Sequence, residues 1–207
     1  MADIKKIATR ESYGNALAEL GREHADVVVL DADLAGATKT STFKKEFPDR
    51  HFDCGIAEGN MIGVAAGMAA AGKIPVAASF AMFATGRAFE QIRNSVAYPE
   101  LNVKIAGSHA GISTGEDGAT HQCVEDMGIM RAIPGMVVLN PADHWEMKAA
   151  TKAAIEYEIW QYRGIQLALE AEVATAYFTL LQYRQDLAIA KRSSDLRRDM
   201  VSLVDSL

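Results

Sequence analysis

Cys54-Gly55-Ile56-Ala57-Glu58-Gly59-Asn60-Met61-Ile62-Gly63-Val64-Ala65-Ala66-Gly67-Met68 reads as a strand end running into a helix unusually rich in Gly and Ala. So little side chain suits a helix for close backbone approach rather than for filling a bulky core. Glu58, the only carboxylate in the stretch, sits at the junction between Ile56 and Met61. A lone acid among apolar neighbours at such a turn is a candidate for proton chemistry. An acid at a helix start also meets the positive end of the helix dipole, a purely structural use of the same residue.

Working outward, the same strand-then-helix rhythm recurs. Thr9 to Leu20 carries a helical pattern, with Tyr13, Leu17 and Leu20 on one side. Val27-Val28-Val29-Leu30 is a continuous apolar run of the kind found in strands covered on both faces. It ends in Asp31-Ala32-Asp33, at the carboxyl edge where open parallel sheets bind ligands. Asp31 reads as a cap of the following turn, leaving Asp33 as the candidate for the site. Downstream, the expected elements are a helix from Thr40 to Phe47, stopped by Pro48, and a strand from Pro75 to Phe80. A helix from Arg87 to Val96, a strand from Val103 to His109 and a helix from Cys123 to Ala132 follow. Met136 to Leu139 reads as a strand and Ala142 to Tyr157 as a helix. Such alternation predicts an α/β fold with a doubly wound parallel sheet.

The chain changes character beyond this region. All 5 prolines and all 16 glycines lie at or before Gly164. Leu169, Val173, Ala176, Leu180, Tyr183, Leu187 and Ala190 then follow alternating steps of four and three, a heptad seam. The expected organisation is an α/β domain over residues 1–157 and a long, coiled-coil-like helix over 158–207.

A net charge of -6 gives nucleic acid no basic surface to grip. No apolar run is long enough to span a bilayer, and the start at Met1 lacks a secretory apolar core. The expectation is a cytoplasmic protein with no membrane or nucleic-acid partner. Cys54 and Cys123 have no metal-ligand spacing, so both are expected as buried, reduced thiols, with no metal site.

Ala8-Thr9-Arg10, the Asp31-Ala32-Asp33 strand end, Gly55-Ile56-Ala57-Glu58, Ser79-Phe80-Ala81-Met82-Phe83 and Gly115-Glu116-Asp117-Gly118-Ala119-Thr120-His121-Gln122 occur together and in order. Over about residues 5–155 the chain resembles the pyrimidine-binding domain of transketolases. Those enzymes use thiamine diphosphate to move two-carbon ketol units between sugar phosphates. The resemblance implies that Glu58 bonds a ring nitrogen of the cofactor's aminopyrimidine, chemistry that needs a dry site. It implies that Phe80 and Phe83 pack on that ring, and it leaves Asp33 among the cofactor contacts. It also implies that His109, Asp117 and His121 contact the sugar's hydroxyls or phosphate, with His109 and His121 moving protons, and that Arg10 helps hold the phosphate. Gly86 departs from the pattern, standing where transketolases often carry an aromatic residue. His24, His51 and His144 match nothing and read as surface or structural.

The Gly-Asp-Gly…Asn signature of the domain that grips the cofactor's diphosphate through a metal is absent from this sequence. The resemblance therefore implies the split form of the family, in which a partner chain carries that domain and its Mg2+. The cofactor would be shared between the chains in a homo- or hetero-oligomer, and this chain alone would be inactive. Deoxyxylulose-phosphate synthase and the β subunit of 2-oxo acid dehydrogenases share the fold and the glutamate, but the Gly115–Gln122 loop favours transketolase. Residues from about 160 to 207 resemble a periplasmic helix of outer-membrane efflux channels. A fusion or frameshift is the expected explanation, and a truncated, non-catalytic protein that only oligomerises through this helix is the reading from another class.

Overall fold

Val27–Asp31 (β1) is buried along its whole length, and this makes it the centre of the fold. The computed structural model describes residues 6–112 and 114–156. The heptad seam and the boundary between residues 157 and 158 lie outside them. α1 (Thr9–Glu23) precedes β1; α2 (Ala35–Thr38), α3 (Ser41–Glu46) and β2 (His51–Asp53) follow it. Next come α4 (Glu58–Ala70), β3 (Ile74–Phe80), a helical stretch containing α5 (Phe89–Gln91), β4 (Lys104–Ser108) and α6 (Asp126–Arg131). Residues 144–156 form α7.

The four strands are all parallel, in the order β2-β1-β3-β4. The chain thus leaves β1 towards β2 on one side and resumes on the other with β3. That reversal makes the carboxyl ends of β1 and β3 a topological switch point, where open α/β sheets bind their ligands. Successive side chains of a strand point to opposite faces. Val28 and Leu30 accordingly join Met61, Ile62, Ala65, Ala66, Ile92, Val96, Met130 and Ile133 in one cluster. Val27 and Val29 face the other layer, where Leu17, Leu20 and Phe43 are also buried. Each large apolar side chain removed from water contributes about 1.5–3 kcal/mol, so burial on both faces secures β1. The doubly wound parallel sheet expected from the sequence is therefore present.

Some expectations change. Met136–Leu139 is not part of the sheet: Val137 is 73% and Leu139 55% exposed, because an apolar run needs a ladder partner to become a strand. The expected Arg87–Val96 helix begins earlier. Met82–Arg87 and Ile92–Ala97 wind in wide π-type turns on either side of α5. α6 is shorter than expected, since Cys123 pairs with Gly111 instead of entering the helix. The glycines of α4 make little close contact among the described residues: a Cβ at Gly59 would lie 3.3 Å from Gln91 Oε1, but at Gly63 or Gly67 it would find open space. Bulkier residues of α4, Met61 and Ile62, fill the core instead. Cys123 is buried as expected, but Cys54 is only partly so, and burial pushes both thiols above their ordinary value.

Candidate functional site

Glu58 is the first residue of α4 and only 1% exposed. Its Oε2 accepts a hydrogen bond from Arg87 Nη1 at 2.8 Å. A carboxylate this deep needs a partner, because an unpaired buried charge is costly. Arg87 supplies one from the end of the wide turn Met82–Arg87, with its own side chain 52% exposed. The guanidinium carbon also lies 4.5 Å from the centroid of the Phe83 ring.

Phe80 ends β3, and Phe83 lies in the turn that follows. Their rings are nearly parallel, 13° apart in tilt and 6.2 Å between centroids. His109, just past β4 and in the left-handed region at φ 55°, lies 4.3 Å from Phe80. His121 meets Phe83 edge-on at 5.0 Å. Glu58, Phe80, Phe83, His109 and His121 are therefore one group, linked through Arg87 and the two phenyl rings.

The loop that delivers His121 is closed by two backbone hydrogen bonds between Gly111 and Cys123, at 2.6 and 3.0 Å. Within it Gly115–Asp117 forms a single tight turn, and Gly118 takes φ 75°, ψ -167°, a region open essentially to glycine alone. Gly111, Gly115 and Gly118, all at positive φ, are thus a backbone requirement of this loop. His121 Nδ1 lies 2.9 Å from Thr120 Oγ1.

Arg10, in the first turn of α1, reaches the same place from the other side of the sequence. Its Nη1 donates to His109 Nε2 at 3.2 Å. Since Arg can only donate, Nε2 must be the bare nitrogen and Nδ1 must carry the proton. Nδ1 then donates to Ser108 Oγ at 2.9 Å, and Ser108 Oγ lies 3.4 Å from the Ser79 carbonyl. Burial holds the His109 imidazole below its ordinary value, the Arg10 charge adds to this, and Asp117 opposes it. Asp117 is exposed and bears on the group through that charge.

Asp33 stands apart. It is exposed at the end of β1 with φ 60°, and its backbone N–H donates to Asp53 Oδ1 at 3.1 Å. No described contact joins its side chain to Glu58 or to the rings. Asp31, by contrast, caps the turn as expected, accepting from Leu34 N and from the Thr38 and Thr40 hydroxyls. His51 is buried, while His144 bonds the Ser12 hydroxyl at 2.7 Å, both structural uses. Glu23, His24 and Glu156 offer ligand atoms within 4.8 Å of one another, at the amino end of the sheet, away from this group. Glu156 there already lies 3.5 Å from Lys152.

Sequence reasoning missed Arg87, Met82 and Ser108. The spacing of four between Phe83 and Arg87 was the available signal, because helical residues four apart are surface neighbours. A Cβ at Gly86 would lie 2.8 Å from Met82 Cε, so Met82 fills the space beside the residue where an aromatic was expected. A buried carboxylate beside two near-parallel phenyl rings fits a flat heterocycle with N–H donors.

This arrangement lies at the switch point of a parallel sheet, where open α/β domains bind their ligands. Residues 5–160 match the family model of the transketolase pyrimidine binding domain, and the chain belongs to that family. It is 58% identical over 149 residues to a putative transketolase C-terminal section of Methanocaldococcus jannaschii, covering 72% of this chain and 47% of that protein. It is 43% identical over 152 residues to human transketolase, covering 73% of this chain and 23% of the human one. Among solved structures, a split gene transketolase described as an inactive beta4 tetramer superposes with a TM-score of 0.65 and 57% identity, over 73% of this chain and 49% of that one. The chain thus spans about half, or less, of the length of the relatives it matches. No helix among the described residues is long and apolar enough to cross a membrane.

Proposed function

We propose that this chain is the pyrimidine-domain part of a transketolase and completes its active site with a partner chain that carries the diphosphate domain and Mg2+. The observation that carries this reading is the 1% exposed carboxylate of Glu58 at the head of α4, beside the paired rings of Phe80 and Phe83. Thiamine diphosphate, when bound, would supply the electron sink for transfer of a two-carbon ketol unit. Glu58 would hold the shared proton at the aminopyrimidine ring nitrogen. Phe80 and Phe83 would pack on that ring and exclude water, each such contact contributing about 0.5–1.5 kcal/mol beyond burial.

His109 and His121 would contact the sugar's oxygens, and imidazoles suit proton transfer there. Arg10 would hold the phosphate, for which a planar guanidinium is well shaped. Asp117 would contact a sugar hydroxyl, and Asp33 would reach the cofactor from the end of β1. The similarity to a C-terminal section and to a split gene transketolase supports a two-chain enzyme in an oligomer. A cytoplasmic location is part of the same proposal.

The test is ketol transfer from xylulose 5-phosphate with a diphosphate-domain subunit added. Transfer under those conditions supports the reading. Turnover with pyruvate alone would point to deoxyxylulose-phosphate synthase or a 2-oxo acid dehydrogenase. A chain that merely oligomerises would show neither.

A further inference from the structure

The groups assigned above to the aminopyrimidine already have an occupant. Arg87 Nη1 holds Glu58 Oε2 at 2.8 Å while its guanidinium carbon lies 4.5 Å from the Phe83 centroid. A guanidinium is planar, donates N–H bonds in its plane and stacks on aromatic faces. An aminopyrimidine with a proton on its ring offers the same three features. We infer that Arg87 stands in for the pyrimidine ring in the unloaded chain, and that it must swing aside for a ring to bind. The inference rests on the proposed roles of Glu58 and Phe83.

Exposure makes the exchange feasible. The Arg87 side chain is 52% exposed against 2% for Glu58. The arginine can therefore rotate into water and recover its hydration, whereas Glu58 cannot. Glu58 would then pass from one N–H donor to another without being stranded. The contact also has a cost for affinity: a site open only part of the time binds more weakly by the open fraction. An open fraction of about 1–10% would weaken binding by about 10–100-fold.

The experiment uses the full chain and thiamine, which lacks the diphosphate, as the probe. Binding is followed by saturation-transfer NMR of the pyrimidine protons for wild type, Arg87→Met, Glu58→Gln and the double variant. Thermal melting is recorded alongside. The expected result is about tenfold or more tighter thiamine binding by Arg87→Met, abolished in the double variant. Arg87→Met should also melt several degrees lower, with Glu58→Gln restoring the loss because no buried charge then remains unpaired. If Arg87→Met does not fold, Arg87→Gln replaces it. Unchanged, weaker or undetectable binding in the Arg87 variant overturns the inference. Should Glu58→Gln nevertheless weaken wild-type binding, the role given to Glu58 survives that failure. Binding that is tight but indifferent to Glu58→Gln would instead remove the proposed role of Glu58, and this inference with it.

Discussion

Arg10 and His109, 99 positions apart in the chain, meet at 3.2 Å through Nη1 and Nε2. The contact joins the start of α1 to the end of β4 across the carboxyl edge of the sheet. It also dictates the tautomer of the histidine, since Arg is a donor only.

From this it follows that His109 is neutral, with its proton on Nδ1, near pH 7. Nitrogen-15 NMR should show a bare Nε2. The Arg10 charge is the second cause, after burial, of the lowered His109 value. Arg10→Leu should therefore raise the titration midpoint of His109 towards the ordinary histidine range. A midpoint that stays put or falls would mean that the two side chains do not interact in solution.

His51 gives a pH dependence of stability. It is buried on β2, burial is the main cause lowering its value, and neither ring nitrogen has a partner among the described residues. A histidine whose folded value lies below its unfolded one, about 6.5, binds its proton more readily after unfolding. Stability should therefore fall as pH drops below about 6.5, and recover above it. The urea midpoint should be lower at pH 5.5 than at pH 7.5. His51→Asn should flatten that difference in part, because His109 shifts in the same direction. An unaltered slope in the variant would exclude His51 as a source.

Gly118 is the residue on which the histidine-bearing loop turns. At φ 75°, ψ -167° a side chain is strained, at a cost of about 1–3 kcal/mol. Gly118→Ala should speed amide exchange at Gly111 and Cys123, whose bridge closes the loop. Unchanged exchange at those two amides would show that the loop does not depend on this backbone state.

Much of this was legible in the sequence, for identifiable reasons. Val27–Leu30 announces a doubly covered strand because burial on both faces forces continuous apolar residues. Glu58, Phe80, Phe83, His109 and His121 were found by motif and do come together. Asp33 was found the same way, yet its side chain stays apart in the structure. What the sequence concealed depends on geometry. Wide turns between Met82 and Ala97 have no composition of their own, so their start was misplaced. Met136–Leu139 has a strand's composition but no ladder, and pairing is a property of the partner as much as of the run. Arg87 enters the sequence reading only as the start of a helix, and it is the fold that places a buried carboxylate within its reach.

Because these 207 residues carry no Gly-Asp-Gly…Asn signature, they should bind thiamine diphosphate with magnesium only at millimolar strength or weaker. One shared carboxylate bond and ring packing supply at most a few kcal/mol, and millimolar binding already takes about 4 kcal/mol. Calorimetric titration measures this directly. Micromolar affinity would reveal a diphosphate site elsewhere in the chain.

The central claim is that Glu58 holds the proton on which ketol transfer depends. The direct measurement is turnover of Glu58→Gln, with xylulose 5-phosphate as donor and the diphosphate-domain chain present. A positioned acid–base group contributes about 10²–10⁴-fold, so a loss of that size with an unchanged fold by circular dichroism is predicted. Wild-type turnover by the correctly folded variant would contradict the account.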